Sequence, residues 1–336
     1  MLKMLHMAAR RSQLGADAPL TKALRELGEL VIVEQGRTLS DEEVLARMRE
    51  ADVLITNWAT RAIPPALAAE PGRVKYVLNL GGTCRASVPI EIIRSKISVT
   101  NWGDSPARVV AEGAMALLLA VLKDLRGRSA GLVAGKGAGA RELGLPSGTL
   151  HGLRLGLYGC GAIGRRFVQL VAPFEPELLV YDPFANGLPE CCRKVDSLDA
   201  LFAESEAVVI WAGLSDTTRG SVTAGLLAKL PDHGIIVNAA RGEIIDQEAL
   251  FAELKSGRLR AGLDVLVGDD YLPKGHEAHT WPNVLITSHD IASSCWPERP
   301  PHLSESDIVA LDNLKRFIAG EPLKFVMDEA RYQLSS

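Results

Sequence analysis

Leu153–Asp182 reads LRLGLYGCGAIGRRFVQLVAPFEPELLVYD. An apolar run, Leu153–Tyr158, leads straight into Gly159-Cys160-Gly161-Ala162-Ile163-Gly164. A helical pattern follows, and then a second apolar run that ends in Asp182. The order is strand, glycine-rich turn, helix, strand. In such a turn the first glycine permits the tight bend and the second lets the backbone approach a pyrophosphate. The third lets helix and strand pack closely. Free N–H groups at the helix start then face the phosphates. Asp182 comes eighteen residues after Gly164, the expected spacing for an acid on ribose hydroxyls. A carboxylate there repels a 2′-phosphate, so the stretch predicts NAD as cofactor rather than NADP. Gly159, Gly161, Ala162, Ile163, Gly164 and Asp182 are its expected contacts.

Working outward, apolar runs alternate with helical patterns in both directions. Downstream, Val208–Trp211, Ile235–Asn238, Gly262–Val265 and Val284–Thr287 read as further strands, giving about six with the two already named. Upstream, Leu30–Val33, Val53–Thr56, Val74–Leu80 and Ile97–Thr100 form a separate series. Helices over Ser40–Glu50, Pro64–Glu70 and Pro89–Ser95 fall between them. Alternation of this kind predicts an α/β protein with two doubly wound parallel sheets, each covered on both faces. Ser105-Pro106 opens a long, nearly all-apolar helix expected to run through about Arg126. Gly127–Thr149, rich in glycine and small residues, reads as a linker or an arm. Ser304–Ala319 is a helical pattern expected to pack back on the first series.

With 336 residues the chain has room for two cored domains. Its 37 basic and 41 acidic residues give a net charge of −4, which provides no bulk field toward nucleic acid or anionic lipid. The longest apolar run, Gly113–Leu122, is too short to span a bilayer. The N-terminus has no apolar stretch of signal-peptide type. Five cysteines without a CxxC pair read as reduced thiols, and the expected location is the cytoplasm. His276 and His279 are three apart, but Pro273 and Gly275 argue against a helix that would aim both at a metal; no metal site is expected. No GxSxG elbow supports a serine hydrolase.

Two residues carry candidate chemistry at strand ends, where open α/β sheets bind ligands. Arg241 follows Ile235–Asn238 in Asn238-Ala239-Ala240-Arg241-Gly242. A guanidinium there can fork onto a carboxylate and polarise a carbonyl, although an isolated arginine before a turn is more often a surface residue. His289 follows Val284–Thr287 and can move a proton near neutral pH. Asp270, nineteen residues earlier, could orient the imidazole and stabilise its charged form. Taken alone, both would also pass as solvated loop residues.

These segments resemble the D-isomer-specific 2-hydroxyacid dehydrogenase family. The likeness runs from about Val53 to Asp328 and rests on YGCGAIGRRF, VNAARGEIIDQEAL, AGLDV, LDNLKRFIAGEPL and VTNWGDSPARVVAEGAMALLLAVL in that order. The resemblance implies a flavodoxin-like substrate domain over 1–102 and 292–336 and a Rossmann NAD-binding domain over 103–291. It also implies a site in their cleft and a homodimer. It implies hydride transfer between NAD(H) and a 2-hydroxy acid/2-keto acid pair, with Arg241, Asp270 and His289 as the catalytic set. Asp264 takes the nicotinamide carboxamide, Ala239, Ala240, Arg241 and His289 border the cofactor, and Gly81 and Gly82 bind the substrate carboxylate through backbone N–H groups. The sequence departs from the family at several points. An aspartate, Asp270 or by another count Asp269, stands for the usual glutamate. Trp211 and Gly213 stand where histidine and proline are common, and Asp290 where an apolar residue is usual. The first departure leaves open a non-catalytic, NAD-sensing role on the same scaffold.

Overall fold

The computed structural model describes residues 1–9, 14–34, 36–135, 147–185, 187–268, 271–292 and 302–334. It divides into two compact units, Met1–Pro106 with Cys295–Ser336, and Ala107–Ser294.

In the first unit the strands are β1 (Lys3–Met7), β2 (Glu29–Val33), β3 (Val53–Thr56), β4 (Tyr76–Asn79) and β5 (Ser98–Thr100). All pair in parallel, in the order β2-β1-β3-β4-β5. That order places a topological switch between β1 and β3, the position at which flavodoxin-like sheets bind ligands. Every residue of β3 and β4 is buried, so alternate side chains feed two cores. Leu5, Leu54, Val77 and Val99 enter one face. Met4, Val53, Ile55, Tyr76 and Leu78 enter the other, against Ala310, Leu311 and Leu314 of the C-terminal helix Glu305–Ala319. That helix starts on a reciprocal cap between Ser304 and Asp307 and stops at Gly320, which adopts φ +70°. Helices α1 (Pro19–Leu27), α2 (Asp41–Arg49) and the single turn α3 (Ile90–Ile93) connect the strands. Pro64–Glu70, expected as an α-helix, forms only a short 3-10 turn at Pro65–Ala68.

In the second unit α4 (Ala107–Leu122) ends one turn earlier than expected. Asp124 adopts a left-handed conformation, φ 48°, and its Oδ1 accepts from Gly127 N at 3.2 Å. This cap starts a new helix, α5 (Leu125–Val133), which runs into the stretch read as a linker or an arm. Within that stretch, 136–146 lie outside the described residues. The sheet consists of β6 (Arg154–Tyr158), β7 (Glu177–Tyr181), β8 (Cys192–Lys194), β9 (Ala207–Ile210), β10 (Ile235–Asn238), β11 (Arg260–Leu263) and β12 (Val284–Ile286). Its order is β12-β11-β10-β9-β6-β7-β8, parallel throughout. β8 is a strand the sequence pattern did not suggest. The direction of winding reverses between β6 and β9, so a dinucleotide crevice opens at their C-terminal ends. Helices α6 (Ala162–Val171), α7 (Leu198–Glu204), α8 (Ala224–Leu227) and α9 (Gln247–Lys255) follow in turn. Leu117, Leu118 and Val121 of α4 pack with Phe167 and Val168 of α6 on one face of the sheet. Among the described residues no helix is long and apolar enough to cross a membrane.

Candidate active site

The turn after β6 has the form that a dinucleotide needs. Gly159 sits at φ +95°, and a Cβ on it would lie 2.8 Å from Ala212 N and 2.9 Å from Trp211 C, at the end of β9. A Cβ on Gly164 would meet Gly159 O at 3.0 Å, so helix and turn are in near contact. Beside Gly161, by contrast, nothing lies within 4 Å. The N-terminus of α6, where Ala162 and Ile163 stand, has no side-chain cap, so its first N–H groups remain available to an anion. Asp182 is tied into the same turn. Its Oδ2 accepts from Cys160 N at 2.7 Å and its Oδ1 from Phe184 N at 2.8 Å. Each oxygen keeps acceptor capacity for a hydroxyl. The residues present therefore fit a dinucleotide. Burial pushes the thiol of Cys160 up and that of neighbouring Cys192 to about 12, so both are held as protonated packing groups. Trp211 tilts against Phe167 with centroids 5.3 Å apart, and its buried Nε1 has no acceptor among the described residues.

The ends of β10, β11 and β12 bring Arg241, Asp264 and His289 into one hydrogen-bonded chain. Asn238, buried at the end of β10, organises the first turn. Its Oδ1 accepts from Ala240 N at 3.0 Å and its Nδ2 donates to Arg241 O at 2.9 Å. Asn238 O accepts from Asp264 N at 2.9 Å, and Asp264 O accepts from His289 N at 2.7 Å. Arg241 Nη1 donates to Ala240 O at 2.6 Å, and Ala239 and Ala240 are half-buried beside it. Asp264 is only 4% exposed. Its Oδ1 accepts from Thr287 Oγ1 at 2.6 Å and from Asp290 N and Ile291 N at 3.2 Å each. Asp264 thus holds the His289 turn and keeps Oδ2 without a donor from any described residue. His289 itself is exposed and adopts φ 55°, a left-handed conformation that a non-glycine residue takes at a cost. Asp269 and Asp270 lie outside the described residues. His276 and His279 serve the local turn: His276 Nδ1 accepts from Ala278 N at 3.2 Å, and His279 Nε2 lies 3.2 Å from Pro273 O.

Gly81 and Gly82 follow β4 in the first unit. Three asparagines at successive strand ends fix this region. Asn57 Oδ1 accepts from Ala59 N at 2.9 Å, Asn79 Nδ2 donates to Gly81 O at 3.0 Å, and Asn101 Nδ2 donates to Gly82 O at 2.7 Å. Both glycine carbonyls are therefore engaged, whereas neither N–H has an acceptor among the described residues. Both glycines also make room for indole rings. A Cβ on Gly81 would touch the Trp58 ring at 3.3 Å, and one on Gly82 would sit 2.8 Å from Trp102 Nε1.

Residues 115–290 match the family model described as the NAD-binding domain of D-isomer specific 2-hydroxyacid dehydrogenases. The chain belongs to this family. It is 31% identical over 291 residues to a hydroxypyruvate reductase of Thermotoga maritima, covering 84% of this chain and 91% of that one. It is 30% identical over 305 residues to a D-3-phosphoglycerate dehydrogenase of Methanocaldococcus jannaschii, but spans only 55% of that protein's length. Among solved structures, a 2-hydroxyacid dehydrogenase from Ketogulonicigenium vulgare shares the fold, with TM-score 0.79 and 23% identity over 97% of this chain and 99% of that one.

Sequence reasoning did not single out Asn238 as the residue that orders the Arg241 turn, nor the asparagine set Asn57, Asn79 and Asn101. Their common signal was present: each stands at or just past the end of an apolar strand, where a short amide side chain can bond the backbone as it turns.

Proposed function

We propose that the protein reduces a 2-keto acid with NADH and runs the reverse oxidation of the 2-hydroxy acid. The observation that carries this reading is the chain Arg241–Asn238–Asp264–His289 at three consecutive strand ends, in the unit that also holds the open Gly159–Gly164 turn. The dinucleotide, when bound, supplies or accepts the hydride. Ala162 and Ile163 would offer their N–H groups to the pyrophosphate, Asp182 would take the ribose hydroxyls, and Asp264 Oδ2 would take the carboxamide. Arg241 holds the acid's carboxylate and carbonyl oxygen, which aligns C2 and draws charge onto the oxygen. His289, protonated, gives its proton to that oxygen as C2 gains the hydride, and it recovers the proton in the reverse direction. Asp270 orients the imidazole. The N–H groups of Gly81 and Gly82 receive the carboxylate. In this assignment 1–102 with 292–336 is the substrate domain and 103–291 the NAD-binding domain.

Arg241→Ala tests the reading: turnover is lost while NADH still binds. Turnover near the wild-type rate overturns the role of Arg241. A panel of 2-keto acids, followed by loss of NADH absorbance, separates the enzyme from its alternative. Tight NADH binding with no turnover on any acid favours the NAD-sensing role left open by the aspartate at 270. We also infer a cytoplasmic homodimer. Leu125, Leu132 and Val133, exposed on α5, support a partner surface there, and sedimentation at several concentrations tests it.

A further inference from the structure

We propose that Trp58 and Trp102 select the substrate, and that the acid taken by this protein carries a large, flat, apolar substituent on C3. The inference rests on the reading above, in which Gly81 and Gly82 hold the carboxylate.

Trp58 is the tip of the turn after β3, set by Asn57, whose N–H donates to Thr60 Oγ1 at 2.7 Å. Trp102 opens the turn after β5, with its N–H on Gly81 O at 3.3 Å. The two indoles meet edge to face, centroids 5.1 Å apart at 65°. Trp58 nevertheless remains 56% exposed. An indole of that size left in solvent, beside N–H groups that lack acceptors, is an apolar platform next to an anion site. That is the composition of a small-acid pocket, with a few fixed polar groups against an aromatic wall. Trp102 Nε1 lies 2.8 Å from where a Cβ on Gly82 would stand, which adds a third donor beside Gly82.

A phosphorylated or strongly polar substituent fits this wall poorly. Arg61, three residues beyond Trp58, bonds Gly36 O, Leu39 O and Asp41. Arg85, just past the glycines, bonds the carbonyls of Tyr332 and Gln333. Both guanidiniums are committed to the protein, and the side chains that adjoin the glycines include the Trp58 and Trp102 indoles. A benzyl or similar group stacks on it, whereas glyoxylate, with no substituent, leaves it wet.

The test compares phenylpyruvate, hydroxypyruvate, 3-phosphohydroxypyruvate and glyoxylate as substrates. Wild type should show kcat/KM for phenylpyruvate about tenfold or more above the other three. Trp58→Ala should lower the phenylpyruvate-to-glyoxylate ratio by about tenfold, and Trp58→Phe should restore most of it. A preference for a phosphorylated or hydroxylated acid, or a ratio that Trp58→Ala does not move, overturns the proposal. Quenching of tryptophan fluorescence by phenyllactate gives a readout independent of turnover. If no acid is reduced, the enzyme reading fails. A phenyllactate quench that Trp58→Ala abolishes and Trp58→Phe keeps still supports the binding platform, and its absence in wild type overturns it.

Discussion

Gly242 puts the site's architecture to a sharp test. It follows Arg241 directly, and a Cβ on it would lie 2.1 Å from Leu266 C, 2.3 Å from Leu266 O and 2.5 Å from Val267 N. Ordinary contact begins at 3.4 Å, so Gly242→Ala forces the two backbones apart by about 1 Å. Neither side yields easily. Leu266 is buried in the core, and Val267 N is bonded to Gln247 Oε1 at 2.8 Å. Overpacking of this kind costs about 1–3 kcal/mol, which lowers Tm by roughly 3–10 °C for a unit of this size. The chemical step should suffer more. Displacing a positioning group by about 1 Å costs on the order of a hundredfold in rate, and Arg241 is covalently tied to the residue that moves. We expect kcat to fall by about that factor while NADH affinity, set at the Gly159–Gly164 turn, changes little. Steady-state NADH oxidation, thermal melts and NADH fluorescence titration measure the three quantities. Gly225→Ala is the control: its Cβ meets nothing closer than Thr223 Oγ1 at 3.8 Å, inside α8. Wild-type kcat and Tm for Gly242→Ala would refute the argument that the Arg241 turn is braced by Leu266 and Val267.

His289→Asn should abolish turnover yet keep the fold, because Asn tolerates the left-handed backbone; His289→Val should melt lower than His289→Asn by about 1–2 kcal/mol of stability, and equal melting would count against strain at this position. Asp182→Ala removes the carboxylate that holds Cys160 N and Phe184 N, so titrations should show NADH binding about tenfold weaker and a reduced preference over NADPH; an unchanged preference would remove Asp182 from cofactor selection. His6 is buried, its Nδ1 donates to Ile55 O at 3.0 Å, and burial lowers its pKa from 6.5. The unfolded chain therefore takes up a proton below pH 6.5 that the folded chain resists. Stability is complete above that value and is lost as pH falls through it toward the folded pKa. His6→Leu should flatten Tm against pH over this window, and an unaltered slope would show that other groups set it.

Most of both sheets is legible in the sequence because parallel strands buried on two faces read as short continuous apolar runs. VLIT at β3 and IIVN at β10 are of this kind. β1 gives no such signal, for the same physical reason in reverse. Lys3 and His6 break its run, and only pairing with both β2 and β3 shows it to be central. The break between α4 and α5 has a sequence signal in Asp124, but an all-apolar helix pattern hides it, since the cap rests on one Oδ1 bond and a left-handed backbone that apolar periodicity does not register. Among site residues, the glycine turn and Asp182 follow from spacing alone. Arg241 and His289 stand out only because strand ends and family resemblance agree on them. The aspartate at 270 falls outside the described residues. Trp58 and Trp102 are 44 residues apart in sequence, and their meeting depends on β3 and β5 both flanking β4.

The asparagines at the ends of β3, β4 and β5 separate two jobs that loops usually combine. Each amide clamps the base of its turn, and after β3 the tip residue, Trp58, projects while Asn57 and Thr60 hold the backbone. Position 58 can therefore drift, or be randomised in a library, with little penalty to folding. A scaffold arranged this way is open to retuning toward new acids one tip at a time.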